Sequence, residues 1–309
     1  MKYVYKRHKQ DEGNVKEMEF HILDVFAEEK YAGNQLAVVR DAASLSGNMM
    51  QRIASEMNYS ETTFILSEVP RDGGYDVRIF TPQEEVPFAG HPTLGTAFVI
   101  QNEIMSEPAE KVILNLKAGQ IPVTFIRDED QTDMLWMRQK APVFGQVIEP
   151  AWIASVLSLD EFDVDDRFPV QEVSTGLPVI VVPLKNLDAV KRAGIRRDEY
   201  FALIEETEAK VILVYCPETY IPENDVNVRV FCDYYGIPED PATGSANGCL
   251  AAYLVKHRCL GGDRIDIRVE QGREIARPSL LHLRAGHSQG QIDVSVGGKV
   301  VMIAKGQLL

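Results

Sequence analysis

Cysteine and histidine are scarce in this 309-residue chain. The four cysteines show no C-x-x-C spacing and are too few in so long a chain to indicate a disulfide framework. We therefore expect a reduced, cytoplasmic protein. The six histidines form no H-E-x-x-H or similar ligand pattern, which argues against a metal site. No stretch approaches the roughly 20 apolar residues of a spanning helix, and the polar start lacks the apolar core of a signal peptide.

Basic residues are also fewer than acidic ones, 32 Lys and Arg against 46 Asp and Glu, so the net charge is −14. Such a surface repels phosphate backbones and anionic lipid, so neither nucleic acid nor a membrane is an expected partner. An anionic small substrate stays open, since a local pocket can oppose the global field. Hydrophobic residues make up 45% and charged residues 25%, an ordinary globular balance. The length predicts about two domains.

Two segments of the chain share one pattern, which indicates an internal duplication. Each consists of a β-rich strand, a polar loop, a glycine followed by His or Ser, and an apolar helix. The first copy comprises residues 76–80, 90–91 and 92–100, and the second comprises residues 227–231, 244–245 and 246–255. The two loops differ by only three residues in length, a difference that a surface loop tolerates.

The rest of the chain extends this plan to an α+β fold. Residues 19–26, 62–66 and 178–183 have strand patterns, and residues 46–57 predict a helix. The polar, proline-flanked stretch 140–150 indicates a domain junction. The two apolar helices are apolar nearly all round, which predicts burial on most faces. We therefore expect two similar halves, each with a sheet curled around a central helix.

The glycines before the two helices mark candidate anion sites. A helix N-terminus has free N–H groups and the positive end of the helix dipole, and Gly90 and Gly244 would let a ligand approach the backbone closely. Two such termini facing each other would hold a carboxylate and stabilise an enolate-like charge. Either glycine alone is better explained by a tight turn, whereas their matched context favours a site.

Four side chains around these loops are candidates for chemistry, each with a plainer alternative. Glu61 lies at the edge of an apolar strand, where desolvation would raise its pKa for acid/base work, but local sequence alone favours a capping or solvated glutamate. Asp240 would orient a substrate or relay a proton, or merely form a turn before proline. His91 would shuttle a proton or cap the helix. Ser245 is second in its G-S-A-N-G stretch, not third as in a hydrolase elbow, so hydrogen bonding suits it better.

Several motifs, in order along the chain, resemble those of the PhzF-like family, named for the phenazine-biosynthesis isomerase. The resemblance covers the chain from about Phe20 to the C-terminus. It rests on residues 60–64 (SETTF), 78–82 (RIFTP), 87–95 (PFAGHPTLG) and 239–246 (EDPATGSA), together with residues 33–34 (GN), 270–272 (EQG) and 277–279 (RPS).

The resemblance implies a diaminopimelate-epimerase-like fold: two pseudo-symmetric domains, each a barrel-like sheet around a central helix, with the active site between them. It implies no cofactor and no metal, and a homodimer. By position, Glu61 matches the catalytic glutamate, and His91, Asp240 and Ser245 match supporting catalytic residues. Gly90 and Gly244 match the backbone that lines the substrate, and Ser60 in the SETTF motif is assigned to substrate binding.

Related epimerases place one cysteine on each loop as an acid/base pair. Here those positions hold His91 and Ser245, so a single-base proton shift through Glu61 is expected. The family's phenazine-pathway member isomerises trans-2,3-dihydro-3-hydroxyanthranilate, which makes that compound one candidate substrate among small carboxylates. Gln35 stands where the family more often has proline, so the pocket neighbourhood is expected to differ.

We expect an N-terminal domain at 18–140, a C-terminal domain at 141–309 and a polar leader at 1–17, with the last strand free to pair back onto the first domain. A catalytically silent small-molecule-binding protein is the main alternative to an isomerase. Nucleotide binding is less favoured, because neither glycine loop matches G-x-x-x-x-G-K-[ST] or G-x-G-x-x-G.

Overall fold

The computed structural model describes residues 18–127 and 133–309. The predicted polar leader, residues 1–17, lies outside the described residues. The strands of the described chain join into one curled sheet. In chain order they are β1 (Met18–Val25), β2 (Asn34–Val39), β3 (Glu61–Ile65), β4 (Tyr75–Phe80), β5 (Glu85–Val86), β6 (Lys111–Leu116), β7 (Gly119–Arg127), β8 (Asp133–Arg138), β9 (Val143–Ile148), β10 (Val170–Ser174), β11 (Pro178–Pro183), β12 (Val211–Cys216), β13 (Val226–Cys232), β14 (Ile237–Asp240), β15 (Arg264–Gln271), β16 (Ser279–Ser288), β17 (Gln291–Gly298) and β18 (Val300–Leu308).

The α-helices of the described chain are α1 (Gly47–Met57), α2 (Gly90–Val99), α3 (Pro150–Val156), α4 (Leu187–Arg192), α5 (Arg197–Glu205) and α6 (Gly244–Lys256). The predicted α+β class is confirmed. The predicted helix at 46–57 is α1, which begins where the Ser46 side chain accepts a hydrogen bond from the Met49 N–H and ends at Asn58 with a left-handed φ of 54°. A serine N-cap and an asparagine in the left-handed region are common helix boundaries. None of the helices in the described residues is long and apolar enough to cross a membrane.

The strand pairings of the two halves repeat one another. In the first half, β1–β2 is antiparallel, β2–β3 parallel, β3–β4 antiparallel, β4–β6 parallel, and β6–β7–β8 antiparallel. In the second half, β10–β11, β11–β12, β12–β13, β13–β15 and β15–β16–β17 follow the same order of orientations. The duplicated sequence pattern therefore corresponds to a duplicated topology.

The two halves are joined by an exchange of strands. The last strand, β18, returns to pair antiparallel with β1, while β9, which follows β8, pairs antiparallel with β10. Between them, β8 pairs directly with β17. The predicted junction at 140–150 thus contains a strand of the second half. The division into domains at residue 140 stays a prediction.

Each half wraps its sheet around one apolar helix, α2 in the first and α6 in the second. Helix α2 is buried along nearly its whole length, and so is α6. The packing on α2 is close: a Cβ at Gly95 would lie 2.5 Å from the Leu36 side chain, so a larger residue here would have to displace that side chain. Helix α1 covers the outside of the first half, and α3, α4 and α5 cover the outside of the second. The N-termini of α2 and α6 are left pointing at one another.

Candidate active site

The N-termini of the two central helices meet at Gly90 and Gly244. A Cβ on Gly90 would lie 3.4 Å from the backbone nitrogen of Ser245 and 3.6 Å from the Cα of Gly244. Any side chain at Gly90 would therefore press on the start of the opposite helix. The structure thus brings together the two glycine loops that the sequence singled out separately, about 150 residues apart.

Neither helix is capped by a side chain at this end. The N-cap residues are Ala89, with extended backbone, and Thr243, and neither side chain accepts a hydrogen bond from its own helix. The first N–H groups of an α-helix have no partner within the helix. Two uncapped N-termini converging on one place form a site suited to an anionic group.

Glu61 and His91 form a buried pair beside these termini. Glu61 is the first residue of β3, and His91 is the second residue of α2. Glu61 Oε2 lies 3.4 Å from His91 Nε2, and neither atom has a hydrogen-bond partner in the described structure. Burial, and then the negative charge of Asp240, raise the pKa of Glu61 to about 8. Glu61 is therefore poised to gain or lose a proton near neutral pH.

His91 is a neutral imidazole in this setting. Burial lowers its pKa to about 3, although a hydrogen bond to the backbone of Gln35 opposes the shift. That bond uses Nδ1, because Nε2 has no hydrogen-bond partner, and so Nε2 presents a lone pair to Glu61. The suggestion that His91 shuttles a proton stays a prediction, and the lowered pKa of His91 does not favour it.

Asp240 ends strand β14 in the second half and is almost fully buried. Its Oδ1 accepts from the Asn34 side chain at 2.9 Å, and its Oδ2 accepts from the Thr243 hydroxyl. Burial raises the pKa of Asp240 to about 6, against these two hydrogen bonds, which lower it, and with the charge of Glu239, which raises it further. The Asp240 carboxyl group is therefore buried and hydrogen-bonded at both oxygens, and its part in the chemistry stays a prediction.

Asn34 and Gln271 contact this site but were not assigned a role from the sequence. Asn34 donates to Asp240 and to the Ala242 carbonyl at 2.9 Å each. Gln271 donates to the Asp240 carbonyl at 2.7 Å and accepts from the Thr243 N–H at 3.1 Å. Asn34 lies in the GN motif and Gln271 in the EQG motif. The sequence does not indicate which loop their side chains contact.

Two serines of the predicted site are placed differently. Ser245 is the second residue of α6 and half-buried, with its backbone nitrogen at the contact with Gly90. Ser60 lies in the turn before β3, also half-buried. Neither side chain makes a hydrogen bond within residues 18–127 and 133–309 that would fix it toward Glu61. Ser245 is at the meeting point of the helices, whereas Ser60 is linked to the site only as the neighbour of Glu61.

No thiol of the chain lies on either loop, as the sequence indicated. Cys232, on β13, interacts electrostatically with the acids of the site. Burial, and then the charges of Asp240 and Glu61, raise the pKa of Cys232 well above that of an ordinary thiol. It therefore stays protonated and unreactive. Among the described residues, no group of three or more His, Cys, Asp or Glu is close enough together to hold a metal ion.

Comparison with known proteins assigns a family. The family model described as "Phenazine biosynthesis-like protein" matches residues 23–306. The chain is 34% identical over 288 residues to the trans-2,3-dihydro-3-hydroxyanthranilate isomerase of Pseudomonas aeruginosa, covering 93% of this chain and 97% of that one. It is 30% identical over 305 residues to an uncharacterized isomerase of Clostridium acetobutylicum, covering 96% and 99%.

Solved structures agree with this assignment. A phenazine biosynthesis protein of the PhzF family from Bacillus anthracis superimposes with a TM-score of 0.88 at 28% identity, covering 95% of this chain and 99% of that one. A predicted epimerase from Pseudomonas aeruginosa gives a TM-score of 0.78 at 32% identity, covering 94% and 99%. A probable proline racemase from Agrobacterium radiobacter gives 0.60 at 10% identity, covering 94% and 93%, and shows the fold alone.

Proposed function

Because the chain belongs to the phenazine biosynthesis-like family and is an isomerase of that family, we propose that it moves a proton along a small, conjugated, carboxylate-bearing substrate, with Glu61 as general acid and base and without a cofactor. One observation carries this proposal. Glu61 Oε2 and His91 Nε2 are buried, lie 3.4 Å apart and have no hydrogen-bond partner in the described structure, at the place where two uncapped helix N-termini meet.

The helix N-termini would bind the substrate carboxylate. The N–H groups at Gly90 and His91, and at Gly244 and Ser245, are the free donors there, and both helix dipoles favour a negative group. Glycine at each first position leaves the backbone accessible. This binding would hold the conjugated system over Glu61. Because the substrate would then already be positioned, it would lose little further entropy in the reaction.

The reaction would need one base. Glu61 as carboxylate removes a proton from carbon: the C–H bond breaks, a carboxyl O–H bond forms, and the electron pair delocalises into the conjugated system. The same O–H bond then breaks to form a C–H bond at another carbon, which leaves a shifted double bond and the starting state of the enzyme. His91 Nε2 would accept a hydrogen bond from Glu61 while it holds the proton, and Asp240 and Ser245 would stabilise the delocalised intermediate by hydrogen bonding. A positioned acid/base contributes about 10²–10⁴ in rate, so the helix termini must supply much of the rest.

The first substrate to test is trans-2,3-dihydro-3-hydroxyanthranilate, because the Pseudomonas aeruginosa relative is named for it. Incubation in D₂O with NMR detection would show deuterium entering the carbons between which the proton moves, and loss of the starting compound. Further small conjugated carboxylates form the rest of the panel.

Binding with neither deuterium incorporation nor conversion of the starting compound, for every compound that binds, would contradict the proposal and favour a catalytically silent binding protein. Binding is followed independently by the rise in melting temperature that a ligand specific to the folded state produces.

The assembly and location of the chain are part of the same proposal. We expect a cytoplasmic homodimer, as the family resemblance implies. Light scattering coupled to gel filtration would then give about twice the chain mass of 34.6 kDa. A mass of one chain at micromolar concentration would contradict the dimer and leave the proposed chemistry untouched.

A further inference from the structure

Asn34, the first residue of β2, holds the carboxyl group of Asp240 from the opposite half of the chain. Its Nδ2 donates to Asp240 Oδ1 and to the Ala242 carbonyl, both at 2.9 Å. The Asn34 side chain is only 1% exposed. An amide nitrogen has two protons, and here each meets an acceptor. Asn34 therefore has a single orientation that satisfies its surroundings.

The backbone that carries Asn34 is clamped from the second half as well. Arg277 donates from Nε to the Gly33 carbonyl at 2.9 Å and from Nη2 to Asp24 Oδ1 at 2.6 Å. In return, the Gly33 N–H donates to the Pro278 carbonyl at 3.0 Å. We call Asp24, Gly33, Arg277 and Pro278 the latch. Gly33 is required here, because its φ is +66° and a Cβ would lie 2.4 Å from the Val25 carbonyl oxygen.

The latch is a departure from the duplicated plan. The β1–β2 connection runs from residue 26 to 33, whereas the equivalent β10–β11 connection runs only from 175 to 177. Likewise the β15–β16 connection runs from 272 to 278, whereas its β6–β7 equivalent runs from 117 to 118. One connection has lengthened in each half, and these two connections contact each other.

The equivalent positions also lack the polar pair. By strand register, Asn34 corresponds to Leu177 and Asp240 to Val86. Both counterparts are apolar and pack against the core. The same topology therefore closes without an amide and a carboxyl group at these places, so the fold alone does not explain them.

Building on the proposed function, we infer that Asn34 is a positioning residue for the reaction. It acts through Asp240: it aims that carboxyl group at the meeting point of the helices and favours its ionised form with the N–H donated to Oδ1. The latch keeps Asn34 in register while the substrate binds and leaves. Asn34 itself does not touch the reacting atoms.

The direct test is the titration of Asp240 in the full-length Asn34→Ala protein. The ¹³C signal of selectively labelled aspartate is followed against pH and assigned with Asp240→Asn. Loss of the donor should raise the pKa of Asp240 above its wild-type value. Asn115→Ala is the matched control, because Asn115 Nδ2 also donates to a carboxylate oxygen (of Asp76) and to a carbonyl (of Arg71), each at 2.8 Å, away from the site. It should leave Asp240 unchanged.

Turnover supplies a second readout. On a substrate that shows exchange, Asn34→Ala should lower kcat about tenfold or more, because a hydrogen bond to a charged group is lost. The acidic limb of the pH profile should shift, and KM should change little.

If no substrate is turned over, the proposed function fails but the titration still tests Asn34. An Asp240 pKa equal in wild type and Asn34→Ala overturns the inference. Should the alanine variant not fold, Asn34→Ser replaces it: an Asp240 pKa above the wild-type value supports the inference, and an unchanged one overturns it.

Discussion

The two halves of this chain share their structural clamps but not their acids. In the first half, Arg78 on β4 donates twice to Glu85 on β5, at 2.8 Å each, and lies over the Phe80 ring at 4.9 Å. In the second half, Arg229 donates twice to Glu239, at 3.0 and 2.7 Å, and lies over Phe231 at 4.9 Å. The same arginine clamp therefore ties the same strand pair in both halves.

The acids of the site break this symmetry. Thr62 pairs with Phe80 as Ile212 pairs with Phe231, so Glu61, one residue earlier, corresponds to Val211. Asp240 likewise corresponds to Val86. The first half therefore contributes Glu61 and has Val86 where the second half has Asp240. The second half has Val211 where the first half has Glu61. The duplicated scaffold is present in both halves, and the proposed chemistry would depend on the positions at which the two halves differ.

The largest expected effect comes from removing the acid of the first half. Glu61→Gln keeps the shape and removes the base, so kcat should fall by about 10²–10⁴, while the fold persists because a buried charge is lost rather than created. Deuterium exchange and turnover measure it. Glu68→Gln, on the exposed chain just after the same strand, is the control and should keep full activity. Near-full turnover by Glu61→Gln would rule out Glu61 as the base.

The arginine clamps should differ in what their loss costs. Arg229 and Glu239 are both about 10% exposed, and Arg229 also donates to the carbonyls of Val190 and Ala193. Arg229→Met should lower the free energy of unfolding by about 3–5 kcal/mol. The half-exposed Arg78 pair should lose on the order of 1 kcal/mol in Arg78→Met. Urea unfolding compares the two, and equal losses would contradict the assigned difference in burial.

The raised pKa of Glu61 should appear in the pH dependence of stability. A carboxyl group that is harder to ionise in the folded state favours the fold fully below its ordinary pKa of 4.5, and that contribution is lost as the pH rises through about 8. The wild type should therefore lose on the order of 5 kcal/mol relative to Glu61→Gln between these pH values. Parallel stability curves for the two proteins would contradict the burial of this charge.

The raised pKa of Glu61 should also appear in the kinetics. If deprotonated Glu61 starts the reaction, kcat/KM should increase as the pH rises through about 8.

The smallest expected difference tests the shared scaffold. Leu94 on α2 and Leu250 on α6 are both fully buried, so each Leu→Ala change should cost about 2–5 kcal/mol. The two losses should agree within about 1 kcal/mol if the central helices serve their sheets equally. Thermal unfolding of the matched variants measures this, and a loss confined to one variant would show that the halves are packed unequally.

The repeated elements were predictable because their signal is local. A strand, a glycine and an apolar helix follow one another within about 30 residues in each half, and apolar character on every face predicts a buried helix. The helix predicted at 46–57 is likewise indicated by its local sequence, and in the structure it begins one residue later, with Ser46 as its N-cap. These features depend on neighbouring residues only, and the structure confirms them.

The connections across the site were not predictable, because they depend on distant residues. Asn34 reaches Asp240 across 206 positions, and the shift in the Glu61 pKa depends on burial contributed by both halves. The role of β9 was also hidden: its side chains are mostly exposed, so it has no clear alternation of polar and apolar residues. Which edge a strand pairs with is decided by the whole sheet.

The return of β18 to β1 has a consequence for protein synthesis. The partner of β1 on that edge is residues 300–308, which are translated about 275 residues after β1. At about 5–20 residues per second, the outer edge of β1 waits roughly 15–55 s for its partner to be made. The first half is therefore the first to be synthesised but cannot be the first to be finished. A ribosome-bound chain stalled before residue 300 would expose a strand edge open to pairing with other chains.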